Sequence, residues 1–195
     1  TQLAICGLTP HSLSYLLTHS LNLQFAGSLL NRQGICGSNH FDVIACLRSS
    51  DELPYPDLQL CLSPIAMDDL TFEPMQEHAF QVHVGLMKAY SRGHVELRDA
   101  DPSSPPRIQV NYLHDRRDRL AMVRGIRLIR ELLAQPAFGS LCGEEIFPGS
   151  DAQSDEALEQ HLRTHCASQW HLTSTARMGP ASDPDAVVDA HGKVH

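Results

Sequence analysis

The segment Gln169-Trp170-His171-Leu172-Thr173-Ser174-Thr175-Ala176-Arg177-Met178-Gly179 sets one imidazole among three hydroxyl side chains and a guanidinium, and Val187-Val188-Asp189 follows soon after. Histidine changes charge near neutral pH, so an imidazole in such polar company, just past a predicted helix, is suited to exchanging a proton in a reaction. The bland alternative for any one of the twelve histidines is packing, or bonding to a backbone carbonyl. Two others, His161 and His165, stand four apart and would share one helical face, as paired metal ligands do. No His-Glu-x-x-His accompanies them and no third ligand lies nearby, so no metal site is expected.

Composition narrows the function classes. The 195 residues suffice for one ordinary domain with its own core. A hydrophobic fraction of 42% and a charged fraction of 19% suit a globular fold. No apolar run approaches the ~20 residues that span a bilayer. A net charge of −8 opposes binding to phosphate backbones, so nucleic acid is not an expected partner. The six cysteines, Cys6, Cys36, Cys46, Cys61, Cys142 and Cys166, form no Cys-x-x-Cys pair, and the chain opens at Thr1 without a secretory leader. A reducing, cytoplasmic setting is the expectation, with membrane association left open. The stop at Lys193-Val194-His195, where a strand should begin, reads as the end of a fragment.

The elements that must position His171 can be read from periodicity. Leucines between residues 11 and 32 suggest one helix or two short ones, and residues 39–47 read as a first strand with His40 and Asp42 on one face. Leu58, Leu60 and Leu62, then Phe80, Val82, Val84 and Leu86, alternate as half-buried strands do. Ser91-Arg92-Gly93 turns into His94–Arg98, and a Pro-rich link leads to Arg107–Tyr112, which together suggest an antiparallel meander. Asp115 should cap a helix packed through Leu120, Val123, Ile126, Ile129 and Leu133 and stopped by Pro136. Its arginines at 116, 117, 119, 124, 127 and 130 read as a solvated face. A second helix should start at Ser154, with Asp155 and Glu156 at its positive end and Leu158 and Leu162 packing inward. Strands first and helices after predict an α+β domain: an antiparallel or mixed sheet with helices on one face.

The motif around His171 resembles the C-terminal signature of the glucose-methanol-choline (GMC) family of flavin-dependent alcohol oxidoreductases, His-Pro-x-Gly-Thr-x-Arg/Lys-Met-Gly followed by Val-Val-Asp. Further landmarks stand in family order: Ser38-Asn39-His40-Phe41-Asp42, Ser91-Arg92-Gly93-His94-Val95, Ala100-Asp101-Pro102, Pro106-Arg107-Ile108, Asn111-Tyr112-Leu113, Gly143-Glu144-Glu145-Ile146 and Pro148-Gly149. The resemblance covers roughly residues 31 to 195 and is nearest the choline dehydrogenase branch. Leu172 stands where the family usually has proline and Ser174 where it has glycine; a serine side chain crowds a place where glycine lets backbone approach a cofactor.

The resemblance implies that residues 1–195 form an incomplete substrate-binding domain, a roughly six-stranded sheet backed by helices. FAD and its Rossmann-type domain lie outside the chain, which holds no Gly-x-Gly-x-x-Gly turn between a strand and a helix. It implies that His171 binds or deprotonates the hydroxyl of a small alcohol while the flavin takes the hydride. Trp170 would then form one wall of a cage for a quaternary ammonium group, with core burial as the alternative. Asp42, matching the acid of a Ser-Asn-His-Phe-Glu pattern, would be the counter-charge for a cationic head, with an ordinary exposed acid as the alternative. His83 reads as structural. The functional expectation is the substrate-binding portion of an FAD-dependent, choline-like alcohol dehydrogenase, inactive by itself. A non-catalytic small-molecule binding module derived from that domain is the competing class, and a histidine-based metal hydrolase a third.

Overall fold

A computed structural model of the chain describes residues 2–6, 41, 43–68, 71, 73–171, 173 and 175–195. The described chain is α+β, with strands β1 (Gln2–Cys6), β2 (Val43–Leu47), β3 (Leu58–Ser63), β4 (Ala79–Leu86), β5 (His94–Glu96) and β6 (Arg107–Gln109), and helices α1 (Arg116–Leu133) and α2 (Asp155–His165). Its contacts group into two compact units, residues 1–91 with 113–167 and residues 92–112 with 168–195.

The first unit is built on an antiparallel sheet of order β1-β4-β3-β2. Cross-strand register sorts its side chains by face. Val43, Leu62 and Val82 form one row, Ala45, Leu60 and Val84 the next, and Leu47, Leu58 and Leu86 the third. This apolar face packs against α1, whose Met122, Val123, Ile126, Ile129 and Leu133 join Leu58, Leu60, Val82, Val84, Leu158 and Leu162 in one buried core. Contact is closest at Gly125, where an added Cβ would lie 2.6 Å from Val84 Cγ2. Glycine is there because the helix backbone rests directly on the strand.

The expected helix limits hold, for visible reasons. The Asp115 carboxylate accepts the Arg117 amide at 2.8 Å and α1 ends three residues before Pro136; the Ser154 hydroxyl accepts the Ala157 amide at 3.1 Å and opens α2. Four expectations need correction. Leu120 is exposed and Met122 takes its place, because the buried stripe centres on Gly125. β4 is buried on both faces rather than one. The meander breaks: among the described residues β5 and β6 pair only with each other, in a separate two-stranded sheet.

The fourth correction concerns the arginines of α1, which are not simply solvated. Arg119 donates to the Leu113 and His114 carbonyls at 2.8 and 2.7 Å and to Glu159 on α2 at 3.1 Å. Arg130 grips Glu145 through two nitrogens, at 2.9 and 2.6 Å, and also the Ala152 carbonyl at 2.9 Å. Such two-pronged guanidinium–carboxylate pairs fix geometry as well as charge. The expected helices in residues 11–32, and Asn39, His40 and Asp42 of the expected first strand, lie outside the described residues.

Asp118, in the first turn of α1, is 1% exposed, and its carboxylate accepts the Tyr90 and Ser91 amides at 2.8 and 2.7 Å and the Ser91 hydroxyl at 2.5 Å. The Ser91 hydroxyl oxygen in turn accepts the Asp115 amide at 3.0 Å. Replacing Asp118 by Ala removes the acceptor of three part-buried hydrogen bonds, and a loss of about 3 kcal/mol is expected in urea unfolding. Gly125→Val should lower stability by about 2 kcal/mol through overpacking against Val84. An unchanged urea midpoint for either variant would contradict the packing described.

Candidate functional site

The motif segment belongs to the second unit, and its two halves are partners in space. Gly179 N donates to the Val188 carbonyl at 2.9 Å and Val187 N to the Arg177 carbonyl at 2.8 Å, while Val188 forms isolated bridges with Met178 and Val194. Arg-Met-Gly and Val-Val-Asp therefore close a loop between them, which gives a physical reason for finding both in one sequence. Within that loop Asp183 pairs with the Arg177 guanidinium. An added Cβ on Gly179 would lie 3.0 Å from the Ala186 Cβ, so a side chain there would press on the loop. Asp189 accepts the His191 and Lys193 amides at 2.8 and 3.0 Å, and the His195 ring donates to the Gly179 carbonyl at 3.0 Å.

His171 lies six residues before this framework and is exposed. Its neighbour Trp170 is 81% exposed and adopts a left-handed backbone with φ +65°. A bulky residue in that region is strained, and conformations of this kind collect at functional sites. The Trp170 amide donates to the Ser168 hydroxyl oxygen at 2.9 Å. The indole and imidazole are thus adjacent in sequence, both open to solvent. Leu172, Ser174 and Asp42 lie outside the described residues.

The first unit offers a second surface with chemical character, the sheet face turned away from α1. Register puts Ile44, Cys61 and His83 in one row, Cys46, Gln59 and Gly85 in the next, and Ser63 beside Gln81. Gln81 is committed to structure, its amide bonding both the N–H and the carbonyl of Met67 at 3.3 Å. His83 is 9% exposed, with the Phe41 ring edge-on at 5.6 Å between centroids. Burial pushes its imidazole down from 6.5 to about 4, so the ring is neutral at ordinary pH. Burial is also the main cause that raises the Cys61 thiol, and Cys46 adds to it. Alternation alone could have found this face: Gln59, Cys61, Gln81 and His83 are the polar partners of two leucine- and valine-rich strands.

A groove of about 440 Å³ also lies in the first unit, with Tyr55, Lys88, Tyr90 and Arg117 along it. The Lys88 ammonium sits 4.4 Å from the Tyr55 ring centroid and the Arg117 guanidinium 3.7 Å from that of Tyr90. Arg117 is also held by Asp115 at 3.0 and 2.7 Å, which keeps that carboxyl down at about 2. Of the residues read from the sequence, Leu86, Arg117 and Leu120 line it, none of them for a site. His161 and His165 stack with ring centroids 4.2 Å apart, and among the described residues no group of three or more His, Cys, Asp or Glu could hold a metal ion. Cys46, Cys61, Cys142 and Cys166 are free thiols.

Comparison with known proteins supplies the family. The family model described as GMC oxidoreductase, for the C-terminal region, matches residues 89–195, more than half of the chain. The oxygen-dependent choline dehydrogenase of Pseudomonas savastanoi pv. phaseolicola is 41% identical over 162 residues, covering 83% of this chain and 28% of the relative. That of Cronobacter sakazakii is 39% identical over 167 residues, covering 86% and 30%. A solved formate oxidase of Aspergillus oryzae RIB40, studied for modification of its FAD, superposes with a TM-score of 0.81 at 24% identity, over all of this chain and 39% of that one. The chain is a member of the GMC oxidoreductase family and spans under a third of the length of the choline dehydrogenases it matches.

The buried imidazole provides a test of the sheet face. An unfolded histidine binds protons below about 6.5, whereas His83 in the fold resists them until about 4. The stability gained by keeping the ring neutral is present above pH 6.5 and lost as pH falls through that window, by roughly 3 kcal/mol in all. Denaturant unfolding between pH 7 and 4 should therefore show a slope that His83→Gln flattens. An imidazole titrating near 6.5 by NMR would show that this face is wet.

Proposed function

We propose that this chain is the substrate-binding portion of an FAD-dependent alcohol dehydrogenase acting on choline-like substrates, and that by itself it neither holds FAD firmly nor turns over. Family membership and close to 40% identity to choline dehydrogenases support the reaction class. The observation that carries the site is the exposed Trp170-His171 pair directly upstream of the closed Arg-Met-Gly and Val-Val-Asp loop.

FAD, when bound, supplies the hydride acceptor. Its diphosphate needs free amides at a positive helix end, and both described helix starts are ill suited to it. Asp115 and Ser154 already cap them, and Asp118, Asp155 and Glu156 make their first turns acidic. The nucleotide half of the cofactor is therefore assigned to a domain other than the described residues of this chain.

The chain's own contribution is acid–base and positional. His171 accepts the hydroxyl proton of the alcohol as the carbon gives up hydride, since that proton does not leave unaided at neutral pH. Trp170 offers a π face to a trimethylammonium head, and Asp42 supplies the compensating negative charge. A carboxylate suits a quaternary cation, which has no N–H to donate. The proton and the cationic head are thus handled by separate groups, and that separation selects an amino alcohol over a plain one. The expected setting is cytoplasmic; among the described residues no helix is long and apolar enough to cross a membrane.

Two measurements test this reading. Purified chain should lack stoichiometric flavin absorbance and reduce no dye with choline. Combined with the FAD-binding region of a choline dehydrogenase it should do both, and His171→Ala should then lower the rate of flavin reduction by about 10²- to 10⁴-fold. Full activity of that variant would remove His171 from the chemistry. Tight binding of choline by the flavin-free chain, measured by calorimetry, would favour a binding module instead.

A further inference from the structure

The groove of about 440 Å³ in the first unit is built from three segments: the connection between β2 and β3, the residues around the end of β4, and the first turns of α1. Its volume lies in the range of small-molecule pockets, which are mostly apolar with a few placed polar groups. Leu53, Leu86, Leu120 and Ala121 supply apolar lining. Leu120 reads in the sequence as core-facing, and its place in the structure is this groove. Both rims are held by their own bonds. The Asp57 carboxylate accepts the Ser49 amide and hydroxyl, each at 2.6 Å, and Arg48 donates to the Asp51 and Leu53 carbonyls at 3.2 and 3.1 Å. Asp118 holds the Tyr90 and Ser91 amides on the other side, where the Arg117 guanidinium lies over the Tyr90 ring. A ligand entering a groove of set shape loses little to ordering it.

The charges lining the groove are unequally committed. Asp57 and Asp118 are 8% and 1% exposed and spend their carboxylates on amides and hydroxyls, while Arg117 is paired with Asp115. Glu52 is exposed on the β2–β3 side. Lys88 differs from all of these. Its ammonium donates to the Tyr55 phenol oxygen at 3.2 Å, lies 4.4 Å from that ring's centroid, and forms no ion pair among the described residues. An ammonium held only by a phenol and a π face keeps its charge for an incoming anion, with which its bonds are stronger than with neutral acceptors.

We propose that this groove binds an amphipathic carboxylate, with its head on Lys88 and its apolar body along Leu53, Leu86 and Leu120. The body supplies most of the affinity through the area it removes from water, and the exposed head selects the sign of charge. Choline is not a ligand here, since its quaternary ammonium would meet Lys88 and Arg117. No residue of the groove belongs to the motif segment around His171, so this site is separate from the proposed alcohol chemistry.

The test uses the 195-residue chain and three probes that share one body, phenylbutyrate, its neutral amide and the corresponding phenylbutylamine. Calorimetry gives the affinities, amide NMR locates the contacts, and hydrodynamic mass reports any association of copies. One-to-one binding of the carboxylate is expected, with shifts at residues 49–53 and 88–90, about fivefold tighter than the amide and with no binding of the amine. Lys88→Gln should bring the carboxylate down to the affinity of the amide, Lys88→Arg should retain it, and Glu52→Gln should tighten it by removing the one exposed acid of the groove. Leu120→Glu should abolish binding with the urea midpoint unchanged, because Leu120 lies outside the core. No binding of the carboxylate at millimolar concentration, equal affinity for the amide or the amine, or shifts confined to other residues would each overturn the proposal. So would indifference to Lys88→Gln, displacement by choline, or copies associating through the groove. These measurements involve neither flavin nor alcohol oxidation, so the proposed function stands or falls separately.

Discussion

The seating of α1 on β3 and β4 is the constraint on which the first unit depends. Three cross-strand rows of apolar residues give the sheet one apolar face, and a helix presenting Val123, Ile126, Ile129 and Leu133 covers its β3 and β4 part, with Gly125 allowing the backbone down onto Val84. Each of those side chains is worth roughly 2 to 5 kcal/mol when cut back to alanine in a packed core. With one face committed, the other is free to be polar. Gln59, Cys61, Gln81 and His83 occur there because the sheet has already buried its apolar side elsewhere.

The parts legible in the sequence were those set by local rules. Alternation at Leu58–Leu62 and Phe80–Leu86 marked two strands, and Asp115, Pro136 and Ser154 marked helix ends, because each residue acts on its immediate neighbours. What periodicity does not contain is partnership. Val95 and Ile108 read as strand residues, but nothing in their own pattern says that the hairpin pairs only with itself rather than extending the sheet. No local pattern shows Asp118 as the acceptor for Tyr90 and Ser91, since that contact joins residues 28 and 27 apart. The ion pairs of the α1 arginines escape local pattern for the same reason: Glu145 and Glu159, which hold Arg130 and Arg119, lie on other segments.

The candidate site divides in a similar way. Its motif was fully legible, and the structure adds the reason that Arg177-Met178-Gly179 and Val187-Val188-Asp189 belong together: they hydrogen-bond across the Asp183 loop. The buried state of His83 was not legible, because a histidine on an alternating strand reads the same whether its side of the sheet is wet or dry. Only what packs over that face of the sheet decides it, and a strand's own alternation does not carry that.

Two of the buried carboxylates are neutralised in an unusual currency. Asp57 accepts the Ser49 amide and hydroxyl, each at 2.6 Å, and Asp118 accepts two amides and a hydroxyl. Their partners are fixed dipoles rather than mobile cations, and dissolved ions screen such short, dry contacts far less than they screen pairs in water. Added salt will loosen the exposed Arg124–Glu131 and Arg127–Asp155 pairs first, leaving the strand ends held by Asp57 and Asp118 in place. Ionic strength therefore acts on the outside of the helices and spares the β2–β3 connection and the anchor of α1 after β4.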